Sequence, residues 1–257
     1  MSVTTAPRGA PPSIEIDHAR LRYGGREIFA GLSLTVEAGR WTCLLGPSGV
    51  GKSTLLRMVA GLERPEPPGH VRAGDGKPLA GRIAYMAQQD LLLPWLSVLD
   101  NVTLGATLRG RRPDAERARI LLAHVGLAAR EADPPSTLSG GMRQRVALAR
   151  TLAEERPVVL MDEPFSALDA VTRLGLQSLA ASLLADCTVV LVTHDPLEAV
   201  RLGQRVFIMA GRPAQLIEAS LPNSPIPRNA ADPAVLDSQA TLLHQLLEIG
   251  GAESTLE

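Results

Sequence analysis

A chain of 257 residues with 45% apolar content is long enough for one large or two small domains and buries a sizeable core. Its formal net charge of -1 lacks the basic excess of a polyanion binder, so nucleic acid is not an expected partner. The most apolar stretches, residues 91–99 and 189–192, fall far short of the roughly 20 apolar residues that span a bilayer. Residues 1–13 are polar and rich in Pro, Ala and Thr, without the basic end and apolar centre of a secretory leader, and a cytoplasmic location is expected.

Residues 14–21 and 28–36 alternate apolar and polar around Gly24 and Gly25, which predicts antiparallel strands joined by a turn. A buried strand at 41–45, a glycine-rich loop at 46–51 and a helix at 52–60 then form the strand-loop-helix unit of phosphate-binding α/β proteins. Pro65, Pro67, Pro68, Gly69, Gly74, Gly76 and Pro78 break the pattern, and that segment is expected to be loop before a strand at 82–87. Residues 97–153 read as mostly helical. Ser97 caps one helix, Pro113 suits the first turn of a second that stops at Gly126, and Ser139 precedes a third.

Alternation returns with a strand at 158–161, a helix at 171–184, a strand at 188–193, a short helix near Leu197 and a strand at 206–209. This order implies a parallel sheet with right-handed crossovers. After Pro222, Pro225 and Pro227, a last helix sets Leu236, Leu242, Leu243, Leu246 and Leu247 on one stripe for packing onto the core. Cys43 and Cys187 each lie in a short apolar run and read as reduced core thiols. The five histidines show no ligand spacing, so no structural metal is expected.

The segment Gly46-Pro47-Ser48-Gly49-Val50-Gly51-Lys52-Ser53-Thr54 fits the P-loop pattern, in which backbone N–H groups and a helix N-terminus enclose a phosphate chain. Lys52 would reach the β- and γ-phosphates and the Ser53 hydroxyl would ligate magnesium. Such a loop needs a carboxylate on a neighbouring strand, and Val158-Val159-Leu160-Met161-Asp162-Glu163 ends an apolar strand in two acids. Asp162 is the expected partner of the magnesium shell. Glu163, on the opposite side of the chain, can point at a water in line with the γ-phosphate and is assigned as general base. The alternative is a pair of exposed acids at a strand end.

Several ATPase families share those motifs. Leu138-Ser139-Gly140-Gly141-Met142-Arg143-Gln144-Arg145 is more specific, since LSGG followed by QR resembles the signature of ABC cassettes. The resemblance covers residues 14–212 or so. It implies a P-loop NTPase (RecA-like) parallel-sheet core with an N-terminal antiparallel β subdomain and an α-helical insert, the ABC ATPase fold. One such domain would span residues 14–222, with the helical part at about 92–155, and a tail with one helix would follow at 223–257.

The family's functional elements can be placed on this sequence. Ser139, Gly140 and Gly141 would bind the γ-phosphate of an ATP held by the P-loop of a second copy, which implies a head-to-tail dimer with two ATPs at the interface. Tyr23 matches the aromatic that stacks on adenine, the alternative being a core aromatic of the strand. Gln88 matches the loop glutamine that touches magnesium and attacking water, because Pro94 stands six positions on; the neighbour Gln89 is the alternative. Residues 166–169 resemble the loop through which the two sites sense each other. His194 matches the switch histidine that hydrogen-bonds the γ-phosphate. With every signature element present, the resemblance implies an ATPase that uses ATP and Mg²⁺.

The run from Asp90 to Val102, with its LLPW and DNV, is similar to the ATPases of nitrate, sulfonate, taurine and hydroxymethylpyrimidine importers. There this surface receives a coupling helix of the integral-membrane permease, so Leu93, Trp95 and Leu96 form an interface patch or else pack inside the helical insert. The chain would then sit on the inner face of the cell membrane through its permease, served indirectly by a solute-binding protein. Residues 85–90 and the short tail lean toward the thiamine pyrimidine precursor. The rival readings are an exporter ATPase, against which the LLPW run argues, a soluble ABC ATPase of translation or repair, which would carry a second cassette or a long coiled coil, and a non-hydrolysing nucleotide sensor, against which Glu163 and His194 argue.

Overall fold

In the computed structural model, which describes residues 9–254, the two alternating segments at the start pair as β1 (Ile14–Tyr23) and β2 (Arg26–Val36). Most of the polar start lies outside the described residues. Gly24 and Gly25 turn the hairpin with φ of 56° and 81°, positive values at both central positions that glycine adopts without a Cβ clash. Ile14, Ile16, Phe29, Leu34 and Val36 face inward and are buried. β3 (Trp41–Leu45) is buried along its whole length, as a central parallel strand covered on both faces must be. α1 (Lys52–Val59) follows the glycine-rich loop.

The proline- and glycine-broken segment is not all loop. It contains β4 (His70–Ala73), antiparallel to β1 with Ile14 opposite Ala73. Of its four residues only Ala73 is buried, so this edge strand offers too short an alternation to be read against its flanking prolines.

β5 (Ile83–Met86) leads into α2 (Val98–Leu108), α3 (Ala115–His124) and α4 (Gly140–Ala153). Ser97 and Ser139 cap the first and third of these helices as expected. The second is capped by Asp114, whose carboxylate accepts from Arg117 N–H at 3.0 Å, and Pro113 stays outside. A charged acceptor at the N-cap satisfies an orphan donor and the helix dipole together, which proline cannot do.

The chain then alternates through β6 (Val158–Asp162), α5 (Ala170–Leu183), β7 (Thr188–Thr193), α6 (Pro196–Leu202) and β8 (Arg205–Ala210). Cys43 and Cys187 are buried thiols outside any disulfide, the second lying one residue before β7. β9 (Gln215–Glu218) adds an antiparallel edge strand to β8 that the sequence reading does not contain.

The large sheet runs β5-β6-β7-β3-β8-β9, parallel up to β8. Successive residues feed opposite layers: Cys43, Leu45, Val189 and Leu191 join the helical side, and Leu44, Val190 and Val192 join the layer of α1 and the small sheet. Parallel strands put all their C-terminal ends at one edge, which is where Gly46, Glu163 and His194 emerge.

α7 (Pro233–Ser254) docks on this core, but not by the expected stripe. Val235 and Leu242 are buried and Leu246 and Ile249 pack against the core, while Leu236, Leu243 and Leu247 are 47%, 48% and 68% exposed. Adjacent leucines on a helix lie about 100° apart, so only one of each pair can face inward, and Val235 sets the register.

Ahead of α7, the buried Arg228 guanidinium donates to the carbonyls of Val200 at 2.6 Å, Gly203 at 2.7 Å and Pro222 at 2.9 Å. It thereby closes the C-terminus of α6, whose last carbonyls have no partner within the helix. Replacing Arg228 by Ala would orphan them, and the expected cost is about 2–4 kcal/mol, read as a lower denaturant midpoint. Arg228→Lys, with one ammonium for three carbonyls, is expected to recover only part of it.

Candidate active site

The phosphate loop covers the N-terminus of α1. Gly51 caps that helix at φ 111° with no side-chain hydrogen bond, so the first-turn N–H groups remain open to an anion. Gly46 is fixed by space: a Cβ there would stand 2.4 Å from the Met209 carbonyl oxygen. Lys52 is 5% exposed, and its ammonium donates to the carbonyls of Gly46 at 2.7 Å and Pro47 at 2.8 Å. Burial lowers its pKa first, and the charges of Glu163 and Asp162 oppose the shift. The loop thus holds a desolvated cation over its own carbonyls, where a phosphate oxygen is a stronger partner. Ser48 and Gly49 are exposed on the loop, Val50 is buried, and Ser53 and Thr54 are half-buried.

Asp162 ends β6 and is 3% exposed. Ser53 hydrogen-bonds its carboxylate, and burial, against that bond, pushes its pKa up. Its Oδ1 has no hydrogen-bond partner. An orphaned buried carboxylate oxygen beside a hydroxyl is a hard oxygen donor set that fits a divalent cation such as Mg²⁺.

Glu163 turns the other way. Its φ is 49°, the left-handed region that non-glycine residues seldom adopt. The turn is held by its N–H on Val192 O at 2.9 Å and by Gln144 Nε2 and Ser166 Oγ donating to its carbonyl at 2.9 and 3.1 Å. Its side chain meets two residues from distant parts of the chain. Oε1 lies 3.2 Å from His194 Nδ1, and Oε2 accepts from Gln88 Nε2 at 3.4 Å. Gln88, not Gln89, is thus the glutamine that reaches this acid.

On α4, Ser139 accepts from Met142 N–H at 3.3 Å. Nothing lies closer than 3.9 Å to a Cβ built on Gly140, whereas one on Gly141 would stand 2.9 Å from the Ala167 carbonyl. Gly141 therefore lets the 166–169 loop lie against the helix. Gln144 is 7% exposed; besides the Glu163 carbonyl it holds Ser166 Oγ at 3.2 Å and accepts from Ala167 N–H at 2.8 Å. Sequence reasoning gave Gln144 no role, although an amide on the buried face of a helix was the available signal. No hydrogen bond among the described residues joins the Ser139–Gly141 turn to the phosphate loop. Tyr23, 44% exposed, lies apart at the end of β1, and its phenol pKa is raised first by a hydrogen bond to Glu63.

The LLPW run is shaped by Asn101, which is fully buried. Its Oδ1 accepts from Leu93 N–H at 2.8 Å and its Nδ2 donates to the carbonyls of Leu93, Leu96 and Ser97. Trp95 consequently stands 75% exposed and Leu91 59% exposed, while Leu93 and Leu96 are half-buried and Leu92 and Leu99 pack on the core.

The ABC transporter family model matches residues 29–166, more than half of the chain. The chain belongs to the ABC transporter family. An uncharacterized ABC transporter ATP-binding protein of Haemophilus influenzae is 46% identical over 91% of this chain and 98% of its own length. Aliphatic sulfonates import ATP-binding proteins of Rhodococcus jostii and Burkholderia cenocepacia are 46% and 44% identical, each over 91% of this chain and over 94% and 87% of their own. None of these three carries a pyrimidine description. A dimeric post-hydrolysis ATP-binding cassette bound to ADP and Pi is 30% identical, with a TM-score of 0.71 over 82% of this chain and 100% of that one.

In this ABC chain Gln144 fixes both the Glu163 turn and the 166–169 loop. Gln144→Ala is expected to lower kcat for ATP about 10- to 100-fold while nucleotide affinity stays within about twofold, measured by steady-state ATPase and equilibrium binding.

Proposed function

We propose that this chain is the ATP-hydrolysing subunit of an ABC importer, acting as a head-to-tail dimer bound to a membrane permease. The observation that carries it is the meeting of Glu163, His194 and Gln88 beside a phosphate loop whose lysine and helix N-terminus are open to an anion.

Tyr23 stacks on adenine, and the N–H groups of residues 46–54 with Lys52 enclose the phosphates. Ser53, Asp162 and Gln88 would hold Mg²⁺, which would supply charge neutralisation on the phosphate chain. Glu163 takes a proton from a water whose oxygen bonds the γ-phosphorus; the bond from phosphorus to the bridging oxygen breaks, and ADP and phosphate leave. His194 hydrogen-bonds the γ-phosphate and stays within reach of the Glu163 carboxylate.

Ser139, Gly140 and Gly141 complete the partner's site rather than their own, a reading supported by the lack of any hydrogen bond to their own loop and by the dimeric state of the related cassette. Trp95 and Leu91 are the apolar groups offered to a permease, which would keep the chain on the cytoplasmic face of the membrane; no helix among the described residues is long and apolar enough to cross it. We assign residues 14–222 to one cassette domain with its helical part at about 92–155, and 223–257 to a tail. The solute is best taken as an aliphatic sulfonate, delivered by a solute-binding protein, because relatives at 44–46% identity carry that description.

Glu163→Gln is expected to bind ATP, accumulate as dimer on gel filtration and turn over at least about 100-fold more slowly; near-normal turnover removes the base assignment. Mixing Ser139→Glu protomers with Lys52→Ala protomers is expected to restore ATPase activity that neither has alone, since the mixed dimer holds one intact composite site. No gain on mixing rejects the across-dimer role. Tagged Glu163→Gln drawn from its native membranes with ATP and magnesium is expected to bring a multi-span permease, whose binding protein is then titrated with alkanesulfonates; ribosomes or DNA instead would remove the transport reading.

A further inference from the structure

Glu198 lies on α6, four residues after His194, and is 4% exposed. No salt bridge among the described residues reaches it. Gln177 of α5 donates to its Oε2 at 3.5 Å, the Thr193 hydroxyl donates to its carboxyl, and its Oε1 has no hydrogen-bond partner. The residue lines a cavity of about 250 Å³ whose walls also include Glu163, Ser166, Arg173, His194 and Asp195. A buried acid with an orphaned oxygen thus stands behind the catalytic pair.

The same hydroxyl that Thr193 gives to Glu198 accepts the Asp195 N–H at 3.0 Å. Bonds from both neighbours of His194 therefore converge on one oxygen, and Glu198 anchors it. Gln177 in turn is braced by Arg201, which donates to its Oε1 at 3.2 Å. The His194 side chain is 57% exposed and has Glu163 as its partner, so its aim depends on the turn that carries it.

We propose that Glu198 is a positioning residue for ATP hydrolysis: its carboxyl clamps the Thr193–Asp195 turn and so holds His194 against Glu163 and the γ-phosphate. This rests on the reading of Glu163 as base and His194 as the phosphate-binding switch. Burial, with Asp195 adding to it and Arg173, Thr193 and Gln177 opposing, pushes the carboxyl from the ordinary 4.5 up to about 8. The charged and titratable groups around it are Arg173 on α5, Asp195 at the start of α6, Glu163 beyond β6, His194 beyond β7, Arg201 on α6 and Cys43 on β3. Arg173 is paired with Asp195 at 3.2 Å, and burial pushes the Cys43 thiol well up, with Glu198 adding to the shift.

An acid whose folded pKa is raised stays protonated while the unfolded chain has already released its proton. Stability from this group therefore falls as pH rises from about 4.5 to about 8 and is level above that. A glutamine at 198 keeps the neutral shape and loses the titration.

The test measures kcat, ATP affinity and melting temperature of the full chain, its Glu198→Gln and Glu198→Ala variants, and both Glu198→Ala and the wild-type residue in a His194→Ala background. Glu198→Gln, whose amide oxygen still accepts the Thr193 hydroxyl, is expected to keep kcat within about twofold at pH 7. The wild-type melting temperature is expected to drop relative to that of Glu198→Gln between pH 5 and pH 8. Glu198→Ala is expected to lose about tenfold in kcat with ATP affinity within twofold, and to add no loss once His194 is Ala.

A folded Glu198→Ala with wild-type kcat overturns the proposal; so does a loss additive with that of a slow His194→Ala. If His194→Ala itself turns over at the full rate, the switch reading fails first and takes the proposal with it. Should Glu198→Ala not fold, Thr193→Val, which removes the hydroxyl that joins Glu198 to the Asp195 N–H, is expected to show the same loss of about tenfold in kcat, and wild-type kcat there overturns the proposal.

Discussion

The backbone turn at Glu163 is the constraint on which the site is built. A non-glycine residue in the left-handed region costs on the order of 1–3 kcal/mol, and Glu163 sits there at φ 49°. The turn splits two consecutive acids. Asp162 goes down into the sheet edge beside Ser53, with one oxygen left for a cation; Glu163 goes out to meet Gln88 and His194. What opposes the strain is a set of bonds to the Glu163 backbone from Gln144 of the signature helix, from Ser166 of the following loop and from β7. The helical part of the chain therefore reaches the Glu163 turn through an amide.

Electrostatics set the charges of the site against burial. Lys52 and Asp162 are buried, which disfavours the charged form of each. Lys52 donates to two carbonyls of its own loop, and a bond from Ser53 opposes the rise at Asp162. These internal bonds are ones that a phosphate chain and its cation can exchange for stronger, charge-assisted ones. The loop is thus preorganised: its glycines allow the close approach, as Gly46 under the Met209 carbonyl shows.

Much of this was legible in the residues, and what was not has physical reasons. The parallel core follows from apolar strands alternating with helices, and the phosphate loop, the paired acids, the signature turn and the switch histidine are contiguous motifs whose residues need only a common sheet edge to converge. β4 and β9 were not legible because an edge strand of four residues buries one side chain or none and so carries no period. Helix starts were read where Ser stands alone and misread where Asp114 outcompetes Pro113. In α7 the leucines mark both faces of the helix, and only the docking partner α6 decides which is inside. Gln144, Asn101 and Arg228 escaped for a shared reason: each acts by satisfying backbone groups of another segment, a role that leaves no spacing in the sequence.

Those three residues also join separate parts of the chain. Asn101 ties the exposed Trp95 turn to α2, Gln144 ties α4 to the base, and Arg228 ties the approach to α7 onto the end of α6. Arg201 stands between the last two regions, donating to the Arg228 carbonyl at 3.1 Å and to Gln177, which holds Glu198. Gln144 and Arg228 thus join the Ser139–Gly141 helix and the approach to α7 directly to the segments that carry Glu163 and follow His194, whereas Asn101 fixes the Trp95 turn to α2. Buried polar groups are costly to leave unpaired, so these bonds hold the joined segments in register.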